Sequence, residues 1–117
     1  MPHDRDAAFR LLVAAAKADG ELAAVEAETL RELAEELQVA PARSAAIIAD
    51  TPGGIPDLEA WGADERQTLF GTVCRVVVAD RRFGEAEQEL VSRLGRGLGL
   101  DDLGIARMLA QALSGPR

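Results

Sequence analysis

FRLLVAAAKADGELAAVEAETLRELAEELQV, residues 9–39, and FGTVCRVVVADRRFGEAEQELVSRLGRGLGL, residues 70–100, register on a shift of sixty-one positions. Phe9 falls on Phe70, Leu12 on Val73, Val13 on Cys74 and Ala16 on Val77. Ala18-Asp19 falls on Ala79-Asp80, Leu22 on Phe83, Glu26 on Glu87 and Glu28 on Glu89. Leu30, Leu33, Leu37 and Val39 meet Val91, Leu94, Leu98 and Leu100. Apolar positions recur at the three- and four-residue spacing that puts side chains on one face of a helix. Agreement of apolar positions between two amphipathic segments is common by chance; agreement of an Asp and a Glu at the same spacing is not. The pattern therefore predicts an internal duplication. Two helical hairpins would pack about an approximate two-fold axis, with the remaining helices closing the core.

Helices are expected over about 4–18, 24–38, 41–49, 63–79, 85–98 and 101–113. Pro41 suits a first helical turn, and Asp101 or Asp102 can cap the last helix. Residues 50–56, DTPGGIP, are too rich in helix breakers to be other than loop. No segment alternates as a strand does. The expectation is one all-α domain of five to seven helices over residues 1–117, with repeat halves 4–50 and 63–114 and a loop over 51–62.

Composition agrees. The chain has 117 residues, 48% hydrophobic and 28% charged, with aromatics at 3%. That length suits one compact core, and an apolar share filled by Ala and Leu favours helices over strands. Net charge is −7. The first sixty residues hold twelve acids and five bases, the remainder eight of each, so the surplus lies in the N-terminal half. Phosphate backbones and anionic lipid are repelled there, which argues against nucleic-acid partners and direct membrane insertion. The one cysteine, Cys74, cannot form an internal disulfide, and the first residues lack a signal-peptide layout, so a cytoplasmic location is expected.

Ala18-Asp19-Gly20-Glu21-Leu22, followed by Glu26, Leu30 and Leu33, resembles the signature of TerB-like tellurite-resistance domains. Ala79-Asp80-Arg81-Arg82-Phe83, followed by Glu87 and Leu94, is similar to their second half, with Arg81 standing where that family has glycine. The resemblance spans nearly the whole chain. It implies an all-helical, non-catalytic bacterial module of stress-response operons that binds divalent cations or partner proteins. TerB-like domains in some membrane-linked co-chaperones suggest an adaptor role by analogy.

The four repeated acids, Asp19, Glu26, Asp80 and Glu87, have two readings. If the duplicated loops converge, their carboxylates would suit calcium, magnesium or manganese. A complete calcium loop is excluded, because Ala15 and Lys17 stand where earlier oxygen ligands belong. Alternatively, Asp19 and Asp80 satisfy free amides ahead of helices, and Glu26 and Glu87 occupy first turns, where negative charge is favoured. Other chemistry lacks parts. With one His, His3, and one Cys there is no zinc set and no Cys–His pair. Gly53-Gly54 lacks the Lys-Ser/Thr of a phosphate loop, and Gly95, Gly97 and Gly99 are wrongly spaced for a dinucleotide turn. No catalysis is expected. As an alternative to cation binding, the chain would be a protein–protein adaptor or a homodimer using Trp61, Phe83, Leu109 and Leu113, with Leu103 and Ala106 on the same last helix.

Overall fold

The computed structural model describes residues 5–18, 20, 22–54, 58–59, 61–79 and 84–114. The described residues form six helices in order: α1 (Arg5–Ala16), α2 (Ala24–Glu36), α3 (Pro41–Asp50), α4 (Ala63–Ala79), α5 (Glu85–Gly97) and α6 (Asp102–Ser114). There is no strand among the described residues. The chain is an all-α domain.

The shift of sixty-one carries α2 onto α5 residue for residue and the first residue of α3 onto the first of α6. The helix ends carry over as well. Gln38 has φ 64° and Gly99 has φ 84°, both in the left-handed region. Around Gln38, Val39 N–H donates to the Ala34 carbonyl (2.8 Å) and Gln38 N–H to the Glu35 carbonyl (3.0 Å). Around Gly99, Leu100 N–H donates to Gly95 (3.0 Å) and Gly99 N–H to Arg96 (2.9 Å). Each pair is a Schellman termination, which satisfies carbonyls that a helix end leaves orphaned. The two halves thus stop the same helix the same way, although one uses glycine and the other glutamine.

Packing obeys the same exchange. α1 lies on α5 as α4 lies on α2, and α1 contacts α3 as α4 contacts α6. The α2–α3 and α1–α2 contacts map onto α5–α6 and α4–α5, while α2–α5 maps onto itself. That closed pattern is what a two-fold relation between halves requires. The third helices share it, so the repeated unit is three helices.

The core between the halves is built from the registered positions. Phe9, Leu12, Val13, Leu30 and Leu33 from the first half meet Phe70, Val73, Val91, Leu94 and Leu98 from the second, all fully buried. Each such side chain contributes about 1.5–3 kcal/mol on leaving water. The loop after α3 is pinned rather than slack. Gly54 N–H donates to the Ala14 carbonyl (3.2 Å), and Gly53 lies so close to Lys17 that a β-carbon there would collide with its backbone.

Candidate functional site

The repeated glutamates, Glu26 and Glu87, lie in the first turns of α2 and α5. Ala23 and Gly84, the residues capping α2 and α5, have no side-chain acceptor to offer. The glutamate three positions on compensates by folding back. Glu26 Oε1 accepts from Ala23 N–H at 2.9 Å, and Glu87 Oε1 from Gly84 N–H at 3.2 Å. This is one arm of a capping box, and Glu65 repeats it for α4 by accepting from Gly62 N–H at 2.8 Å. Asp101 Oδ1 accepts from Gly104 N–H (2.7 Å) at the start of α6. Both glutamates are buried, at 6% and 8% exposure, so the first-turn placement read from sequence is what the structure shows.

Glu26 has a second partner that breaks the symmetry. Arg93, on α5, donates through one terminal nitrogen to the Ala16 carbonyl at the end of α1 (2.8 Å). Its other terminal nitrogen reaches Glu26 Oε2 at 3.3 Å. One guanidinium thus joins three helices, and its positive charge sits at the C-terminal end of α1, where the helix dipole favours it. The equivalent residue of the first half is Glu32. Lys17 is a second half-specific device. It is half-buried, and its Nζ donates to the carbonyls of Ile48 and Thr51 (2.7 Å to Thr51), closing the end of α3. Its counterpart is Val78.

For the cation reading, Asp19 and Asp80 lie outside the described residues, as do Phe83, Arg81 and Arg82. The structure brings Glu26 to an amide and a guanidinium, and Glu87 to an amide. Among the described residues no group of three or more His, Cys, Asp or Glu side chains gathers as a metal site. Acidic character instead concentrates along α2, where Glu32, Glu35 and Glu36 line an open groove of about 560 Å³ against α4. Arg75 bridges that groove to Glu36 at 3.1 Å.

The proposed partner residues separate. Trp61 and Leu109 are half-buried against the core, whereas Leu113 is 58% exposed. Leu103, on the same helix, is 61% exposed. Of the thirteen residues of α6 only Ile105 is buried, packed where Gly95 gives α5 no side chain. Below α6, against α4, runs a groove of about 410 Å³ lined by Gly71, Cys74, Met108 and Ala112 among others. Burial pushes the Cys74 thiol up from 9.0 to about 11, so it stays protonated and a poor nucleophile at neutral pH.

Sequence reading missed Arg93 and Lys17 as organising residues. Their targets are carbonyls 77 and 31 positions away, and only an unmatched charge on an otherwise registered apolar pattern hinted at them. No protein-family model, no curated protein and no solved structure matches this chain.

Proposed function

We propose that this chain is a non-catalytic, TerB-like module of the bacterial stress response that works by docking a protein on α6. The reading draws its family from the residues around Ala18–Leu22 and Ala79–Phe83 and from the doubled architecture. Its working surface follows from one observation: of the three large hydrophobic residues exposed among the described residues, two, Leu103 and Leu113, project from one helix. Exposed leucines scattered singly carry no message, but two on the outer face of a helix that gives the core one buried residue form an uncovered apolar surface. No helix among the described residues is long and apolar enough to cross a membrane, so that surface is not read as part of a bilayer span.

A photo-crosslinking side chain placed at Leu113, and separately at Glu35 on the acidic helix, tests the reading in living cells. A protein adduct from position 113 and none from position 35 supports it. Adducts from position 35 alone would move the working surface to α2 and overturn the choice of α6.

Cation binding at Asp19, Glu26, Asp80 and Glu87 is the second reading, favoured by the burial of two repeated carboxylates. Calorimetric titration with calcium, magnesium and manganese separates the two. Binding heat that disappears in Asp19→Asn/Glu26→Gln would establish the site; no heat with the wild type leaves Glu26 and Glu87 as capping residues alone.

A further inference from the structure

We infer that what covers α6 is a second copy of this chain, its α6 running antiparallel to the first across a two-fold axis level with residue 108, on the helix edge facing away from that side chain. The inference rests on the reading of α6 as the docking surface and names the occupant. Leu103, Ala106, Ala110 and Leu113 are all exposed and follow one another at intervals of three, four and three residues. That spacing makes a continuous seam along one edge of a helix, the edge opposite half-buried Met108. The seam reads the same in both directions. Leu103 and Leu113 stand five residues either side of position 108, and Ala106 and Ala110 two residues either side. In an antiparallel pair each leucine meets the leucine from the other end of the second helix, and the alanines between them let the backbones approach. A two-fold interface needs this property, because one patch must complement itself.

Charge points to the same occupant. The chain carries −7, and α2 holds five glutamates against Arg31. A second copy is repelled at that face, where a basic partner would be drawn instead. α6 carries only Asp102 and Arg107 and is neutral. It is an apolar face on which two like-charged molecules can meet without the repulsion that α2 imposes.

The interface is small. Thirteen residues span about 20 Å, and an apolar strip of that length buries well under the roughly 1,200–2,000 Å² of stable complexes. Arg107 flanks the seam next to the axis, so the antiparallel arrangement brings it beside its own counterpart. The dimer is therefore weak, with a dissociation constant of about 10–500 µM. It tightens as salt screens both the net charge and the arginine pair.

Sedimentation equilibrium of the full chain from low to high concentration tests this, alongside Leu103→Glu and Arg107→Gln, both at exposed positions that leave the core intact. Expected is a concentration-dependent monomer–dimer equilibrium, abolished by Leu103→Glu and tightened severalfold by Arg107→Gln. A wild type that remains monomeric at millimolar concentration, or an Arg107→Gln dimer no tighter than wild type, overturns the antiparallel pairing. The photo-crosslink at Leu113 keeps the two failures apart. An adduct of twice the chain mass supports the second copy; an adduct of another mass overturns the second copy while α6 remains a docking surface. No adduct from either Leu103 or Leu113 overturns both.

Discussion

Replacing Arg93 by methionine keeps a long apolar stem and removes the guanidinium that joins α5 to α1 and α2. The side chains of Arg93 and Glu26 are 15% and 7% exposed, so the change leaves a carboxylate in a nearly dry site with one amide as its remaining partner. It also strips the Ala16 carbonyl of its donor. Breaking a buried pair from one side costs about 3–5 kcal/mol, because the surviving charge keeps its desolvation penalty. For 117 residues, an unfolding entropy of about 2.1 cal/mol/K per residue turns that loss into a fall in Tm of about 12–20 °C. Thermal and urea unfolding followed by circular dichroism measures it. Arg75→Met supplies the contrast. Its pair with Glu36 is 63% and 46% exposed, and its loss costs at most about 1 kcal/mol. Adding Glu26→Gln to Arg93→Met relieves the stranded charge while keeping an acceptor for Ala23 N–H, so the double variant melts above Arg93→Met. A Tm for Arg93→Met within about 3 °C of wild type, or a double variant less stable than Arg93→Met, would mean that Arg93 does not neutralise a buried Glu26.

Gly53→Ala drives a β-carbon into the Lys17 backbone and lowers stability by about 1–3 kcal/mol, whereas Gly54→Ala, which meets nothing within 4 Å, stays within about 0.5 kcal/mol in the same melts. Gln38→Gly relieves a left-handed residue that the other half supplies as Gly99, and raises the stability measured by urea unfolding by about 0.5–1 kcal/mol. Cys74 titrates higher in the folded chain than in the unfolded one, so its contribution is complete below pH 9 and lost as pH rises from 9.0 to about 11. Over that interval wild type loses about 1.4 kcal/mol per pH unit more than Cys74→Val, measured by urea unfolding at each pH. Lys17→Met removes the donor to the Ile48 and Thr51 carbonyls and speeds amide exchange in the last turn of α3 ahead of the other helices, as read by hydrogen-exchange mass spectrometry.

The duplication was legible because it is written in side-chain periodicity, a local property that survives exchange of Leu for Val or Val for Cys. Glu26 and Glu87 were legible as first-turn residues for the same reason, since a capping glutamate acts within three positions of its target. The third helix of the repeat fell inside the halves 4–50 and 63–114 but was not matched residue by residue. α3 offers Ile47 to the core and α6 offers Ile105, too few anchors to register against each other by eye. Arg93 and Lys17 were illegible for a different reason. Each acts on backbone carbonyls brought near only by the completed fold, and a carbonyl carries no residue identity that sequence could announce. Of the partner residues, sequence placed Leu113 on the last helix, but it could not tell the outward edge from the half-buried side that holds Leu109.

The single exchange of Arg93 for Glu32 gives the doubled molecule a handedness in ancestry as well as in shape. A symmetric pair of separate second halves would set Arg93 of each against Glu87 of the other, two favourable contacts in place of one. A pair of first halves would press Glu32 against Glu26 and be driven apart. Tandem fusion of the two versions therefore keeps one Arg93–Glu26 contact, where two second halves would make a pair of such contacts and two first halves none.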